Sequence, residues 1–406
     1  MTDFQAELQR MEADIRAMSD ATCTTEVVTP NAGGQVRLLF RKFQRLSLTG
    51  EIYLLRSLNA EVDGALDSSP HQADLWLLKA HIALKRHRFS EADSALLAEP
   101  SLATSSLSRL LQSDIDWQQG RYLAAKQTIE SVLAIEPTWD AFARLAHITG
   151  LMGNLHEADS LYAAAEDELT AKQMQTFAWL ETQRGWMHFQ RGDHDQAVAC
   201  YNRAHSAFSG YWLVTERIAE LQGAQGRFEE AITGYLRLHA NAPRPEWEHA
   251  LGDLYWLSGR YELADRWKRS AHLQYVQSIC AGESCYLHYL ADLCGELAGH
   301  QQEAVEWARQ DLSVRNNFMT QADLAWALFR NGLLNDAVEH IAMATASGAV
   351  SARLYQQAAV IYSAAKQNNL ARYYTSLAVT TNPRPARALV HLHPTSLVSS
   401  GQVKLL

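Results

Sequence analysis

Three sets of side chains have types and spacings that could do chemistry. Cys280, Cys285, His288 and Cys294 fall within fifteen residues, separated by four, two and five others. Zinc wants four nitrogen or sulfur ligands, usually supplied by closely spaced pairs. No CxxC is present, so buried free thiols are the expectation. His81, Asp114 and His147 recur at intervals of 33 residues, and two imidazoles with a carboxylate form a metal triad in kind. On successive stacked helices, however, such side chains start about 9 Å apart. Three of them span too far for one ion, so no metal and no cofactor are expected. Trp117, Trp186, Trp256 and Trp326 form the third set, at intervals of 69, 70 and 70. Each offers a large rigid surface with one N–H donor, suited either to recognition or to packing between helices.

Catalytic motifs are missing. The chain has no GxxxxGK[ST] loop to cradle phosphate, no GxGxxG after a strand, no GxSxG elbow and no HExxH helix. The expected reading is therefore not an enzyme. With 36 basic and 45 acidic residues the formal charge is -9. That argues against nucleic acid, whose binding depends on neutralising phosphates. The basic run Arg37, Arg41, Lys42 and Arg45 reads as a solvated helix face. Five cysteines without a paired framework fit a reducing compartment. Met1 to Asp20 reads as a polar amphipathic helix and not a signal peptide. No stretch reaches the 18 or so apolar residues that span a bilayer. A cytoplasmic protein with no membrane partner is the expectation.

The elements that position these residues follow from a period. Ala92, Ala125, Ala158, Ala197, Ala231, Ala264, Ala304, Ala337 and Ala371 stand 33, 33, 39, 34, 33, 40, 33 and 34 residues apart. Most follow a glycine five residues upstream, with His87 and Gln367 taken to replace it in two units. In Trp212 to Pro243, Leu213, Ile218, Ala219 and Leu221 lie at helical spacing. Gly226 then breaks the helix by supplying a positive φ. Phe228, Ala231, Ile232 and Tyr235 make the stripe of a second helix, which Pro243 ends. Nearly half of the chain is apolar (47%), ample for a continuous core between such hairpins.

The pattern resembles the tetratricopeptide repeat, which has a small residue at its eighth position, an aromatic at its seventeenth and alanine at its twentieth. The eighth positions hold Ala80, Ser113, Ala146, Gly185, Ala219, Gly252, Ala325 and Ala359. Pro137, Pro243 and Pro383 fall at the thirty-second. The resemblance implies an all-α solenoid of about nine to ten helix-turn-helix units winding into a right-handed superhelix. Four regions are expected: residues 1–34 as an N-terminal helix and linker, 35–71 as a degenerate capping pair, 72–383 as the array and 384–406 as a tail. Two gaps exceed the period, near Asp167 to Gln175 and at Gln274 to Leu287; the first is expected to extend helices.

In that family the first helix of each unit lines a concave groove. The inward positions, carried over by the resemblance, include His81, Asp114, Trp117, His147, Trp186, Phe189, Glu216, Glu220, His249, Asp253, Trp256, Trp326, Phe329 and Arg330. Such a groove would be acidic and aromatic, fit for a protein or peptide segment carrying Lys or Arg. The expected function is a non-enzymatic scaffold or adaptor that binds its partner there. The alternative is a regulator that senses a small molecule or signalling peptide in the groove.

Overall fold

The structure is a computed structural model that describes residues 1–23 and 32–384. Most of the expected linker and all but the first residue of the expected tail lie outside the described residues. Those described form twenty-one α-helices and no strand. After α1 (Asp3–Cys23) the helices pair into ten hairpins: α2 (Ala32–Thr49) with α3 (Leu55–Ser68), α4 (Ala73–Lys85) with α5 (Phe89–Ala98), α6 (Ser106–Gln118) with α7 (Tyr122–Leu133), and α8 (Trp139–Leu151) with α9 (Leu155–Asp167). There follow α10 (Met174–Gln190) with α11 (His194–Ala207), α12 (Trp212–Ala224) with α13 (Phe228–Asn241), and α14 (Pro245–Leu257) with α15 (Tyr261–Cys280). The last are α16 (Leu287–Glu296) with α17 (Gln301–Val314), α18 (Phe318–Arg330) with α19 (Leu334–Ala346), and α20 (Ala352–Ala364) with α21 (Asn368–Thr381). The chain is an α-solenoid of tetratricopeptide-like hairpins.

Eight of the ten hairpin turns share one design. At the end of α12, Gly226 has φ 78°, and its N–H bonds the Gly223 carbonyl while the Arg227 N–H bonds Gln222, both at 2.9 Å. These two bonds make a Schellman closure, which satisfies carbonyls that the helix end would leave open. The same bonds recur at Gly120, Gly153, Gly192, Gly259 and Gly332. Two units make the turn without glycine, at His87 (φ 56°) and Lys366 (φ 60°). The second is therefore Lys366 and not the neighbouring Gln367 expected from the sequence.

Small residues set the helix spacing. Ala92, Ala125, Ala158, Ala197, Ala231 and Ala337 have no exposed surface. A Cβ on Gly185 would lie 2.5 Å from the Tyr201 ring, and one on Gly252 would lie 2.5 Å from Lys268 Cγ. The longer gaps become two features. A connection at residues 168–173 leads into a 17-residue α10, and α15 grows to 20 residues against 13 in α8. Helix α1 packs along α2, and Phe4 reaches Phe208 and Tyr211 at ring distances of 6.4 and 6.3 Å. The first hairpin is thus covered by α1 instead of presenting a bare outer face.

The array winds back on itself. Gln119 donates to the Val314 carbonyl at 3.0 Å, and Tyr122 Oη accepts the Phe318 N–H at 2.8 Å. The Val350 N–H donates to the Leu151 carbonyl at 2.8 Å. Arg86 meets Glu283 at 3.0 Å with both side chains buried, Trp212 Nε1 donates to the Leu48 carbonyl, and Arg244 reaches the Thr49 carbonyl. Three of these contacts, with that of Asn382 to the Gln190 carbonyl, join residues 197, 195, 195 and 192 apart. With a unit near 34 residues, roughly six units complete a turn of the superhelix. The hairpin turns of the first half meet the second half along this seam. The largest apolar cluster crosses it, from Trp117 and Tyr122 to Phe318 and Trp326.

Candidate binding cavity

Because the seam closes the concave side, the interior is a cavity of about 360 Å³. One wall is built by α8, α10 and α12 and the other by α16, α18 and α20. Trp186, Phe189, Tyr289, Phe318 and Met319 supply its apolar lining. Four arginines, Arg191, Arg217, Arg315 and Arg353, face it against two carboxylates, Glu220 and Asp323.

Each arginine is held. Arg191 donates to the Gly150 carbonyl at 2.7 Å, where α8 ends. Arg217 donates to Glu220 at 2.6 Å and lies 5.7 Å above the Trp186 ring. Arg315 forks onto Asp311 at 3.0 and 2.9 Å. Arg353 donates to Asp323 at 3.2 Å. The Nε atoms of Arg217 and Arg353 are buried and make no hydrogen bond among the described residues, so both guanidiniums keep a donor in reserve.

Burial dominates the local acid–base balance. It pushes Asp323 up to about 6, with Arg353 opposing and Asp292 reinforcing the shift. It holds His147 below the usual histidine range, only partly opposed by Asp114, so that imidazole is neutral at pH 7. Burial also lowers Arg191. Arg217 is raised, because Glu220 and Glu216 outweigh the loss of solvent.

The residues expected to line a groove divide into three groups. Trp186, Phe189, Glu220 and His147 border the cavity. Trp117 and Trp326 are core, 8% and 6% exposed, and their rings lie against His147 and Phe329 at 5.6 and 5.5 Å. Trp256 is half-buried against Tyr261, and Arg330 borders a separate narrow pocket with Trp326. His81 sits 5.6 Å from the Phe43 ring and burial lowers it to about 4.

The acidic character is corrected. Arg144 takes Asp114 at 3.0 Å, Lys268 takes Asp253 at 2.6 Å, and Arg217 takes Glu220. Glu216 accepts from Trp247 Nε1 at 3.2 Å and is pushed up by burial. His249 is enclosed beside Tyr275. The basic partners of Asp114 and Asp253 come from neighbouring helices, a pairing that one position in the period does not reveal, while Arg217 and Glu220 share α12. The histidine–aspartate triad is likewise dispersed among Phe43, Arg144 and Trp117. Cys285 and Cys294 are buried free thiols, and Cys280 is exposed. Sequence reasoning missed Arg191, Arg217, Arg315 and Tyr289. Arg217 stands next to the inward position Glu216, but Arg191 and Arg315 lie in turns, just after α10 and before α18, and Tyr289 lies in the irregular unit, where the repeat pattern assigns no inward position.

No family model matches the chain, and no curated protein is similar to it in sequence. Among solved structures it is similar to the APC/C hetero-tetramer Cut9–Hcn1, with a TM-score of 0.41 and 13% identity, over 90% of this chain and 55% of that one. It is also similar to a Rap protein complexed with competence and sporulation factor, with a TM-score of 0.46 and 12% identity, over 76% of this chain and 97% of that one. The chain spans about half the length of the Cut9–Hcn1 chain it matches. No helix among the described residues is long and apolar enough to cross a membrane.

Proposed function

We propose that the protein is a non-enzymatic binding scaffold that captures a short, extended, acid-bearing protein or peptide segment in its interior cavity. The observation that carries this reading is the lining: four arginines border the cavity against two carboxylates, with Arg217 lying over the Trp186 ring. Charge-assisted bonds from guanidinium to carboxylate are stronger than neutral ones and select for an anion. A segment carrying Lys or Arg, as the sequence alone suggests, would face like charge.

The cavity, about 360 Å³, has room for a short segment or a small molecule. A peptide library selected on the protein should return Asp- or Glu-bearing segments. Arg217→Gln should weaken the selected peptide by about tenfold or more, the value of a hydrogen bond to a charged group. Selection of Lys- and Arg-rich segments, or unchanged binding by the variant, refutes the reading.

A second reading, a ligand sensor whose winding opens and closes, is favoured by the polar make-up of much of the seam. It predicts a change in radius of gyration when the selected ligand is added. An unchanged scattering profile at saturation dismisses it.

A further inference from the structure

We propose a zinc site formed by His272, Cys294, His300 and Glu303, joining three consecutive helices where the repeat period is broken. One ligand atom from each of these four residues lies within 4.8 Å of all the others. Glu303 Oε1 is 3.0 Å from His300 Nδ1, and its Oε2 is 3.9 Å from His272 Nε2. The two imidazole rings are 5.2 Å apart. Cys294 points in from α16 with no exposed surface.

The ligand chemistry is that of zinc: two imidazoles, one thiolate and one carboxylate, tetrahedral in structural sites. Thiolate and carboxylate together neutralise a divalent ion. A tetrahedral ion with ligands at about 2.0–2.3 Å sets donor atoms roughly 3.3–3.8 Å apart. Side-chain shifts of about an ångström reach that from the present arrangement. His272 Nε2 is buried with no hydrogen bond among the described residues, a buried polar atom that a metal bond would satisfy.

Position gives the site a purpose. His272 lies in the part of α15 near where it outgrows the regular length, Cys294 lies in the last turn of the ten-residue α16, His300 is the N-cap of α17 and Glu303 is in its first turn. Here Ala264 and Ala304 stand 40 residues apart instead of 33 or 34. An ion would clamp the irregular unit. A nearby set, His249, Asp253 and Glu296, is a different case: the Lys268 ammonium lies 2.6 Å from Asp253 and 2.5 Å from Glu296 and already fills the cation position.

The test uses tag-free full-length protein titrated with Zn(II), and with Co(II) as a spectroscopic probe. One ion per chain is expected, with a thiolate-to-cobalt charge-transfer band in the near ultraviolet and a rise in Tm on adding zinc. His300→Gln, at a half-exposed side chain that leaves folding intact, should weaken binding at least by the roughly tenfold that losing an outer-shell partner costs. Cys294→Ser should abolish the band. Cys280→Ser should leave band and stoichiometry unchanged. No binding, binding without the thiolate band, wild-type affinity in His300→Gln, or loss of the band in Cys280→Ser overturns the proposal.

Discussion

Hairpin turns built on a left-handed glycine stand in opposite surroundings in the two halves of this molecule. A Cβ on Gly120 would lie 2.5 Å from the Asn316 carbonyl oxygen, one on Gly153 would meet Val350 at 2.8 Å, and one on Gly192 would meet Asn382 at 2.3 Å. A Cβ on Gly226, Gly259, Gly299 or Gly332 would meet nothing within 4 Å. The first set is glycine for two reasons, backbone conformation and the approach of a second layer. The second set is glycine for backbone conformation alone. One sequence signal therefore conceals two structural roles, and the difference marks the seam that encloses the cavity.

The largest effect should come from the buried pair that locks the seam. Arg86→Ala strands Glu283 and should cost about 3–5 kcal/mol, whereas replacing both residues by methionine should recover most of that. Denaturant unfolding of the three proteins distinguishes these outcomes. Equal losses in the single and double variants would mean that the pair is not isolated from water.

The glycine contrast comes next. Gly226→Ala should cost about 1–2 kcal/mol for the left-handed conformation. Gly120→Ala should cost a further 1–3 kcal/mol, because the new methyl meets backbone. Equal shifts in the denaturation midpoint would erase the distinction between the two halves.

Titration of the cavity gives a smaller effect. Asp323, facing Arg353, Asp292, Arg315 and Asp311, holds its proton up to about pH 6, above the ordinary carboxyl value. The folded state thus binds more protons than the unfolded state between about pH 4 and 6, and stability falls as pH rises through that window. After allowing for partial solvent screening the loss is about 1 kcal/mol. Asp323→Asn should flatten that decline. A decline of unchanged size would assign it to another group.

The smallest effect is a gain. Lys366 is exposed and adopts φ 60°, so Lys366→Gly should stabilise the last hairpin by about 0.5–1 kcal/mol by relieving a left-handed lysine. Thermal unfolding with no gain would show that Lys366 makes compensating contacts.

The hairpins were legible because alanine and glycine recur where helix spacing and helix ends require them, as at Ala231 and Gly226. Much of the seam was not, because several of its acceptors are the backbone carbonyls of Val314, Leu151, Thr49 and Leu48, which every residue type carries. Groove composition was misread for a related reason. Position within a unit places Asp114 and Asp253 correctly on the first helix, but their neutralising partners Arg144 and Lys268 lie on adjoining helices. The curvature of the array, which decides whether Trp186 meets a cavity while Trp326 meets core, depends on the sum of many small packing angles.

Amide hydrogen exchange at Val350 tests the closed superhelix most directly. This residue precedes α20 and its N–H bonds only across the seam, to the Leu151 carbonyl that α8 leaves open. A closed superhelix predicts strong protection there and at Phe318, whose protection Tyr122→Phe should remove. Exchange at Val350 as fast as in an unfolded chain would contradict the seam, and with it the interior cavity.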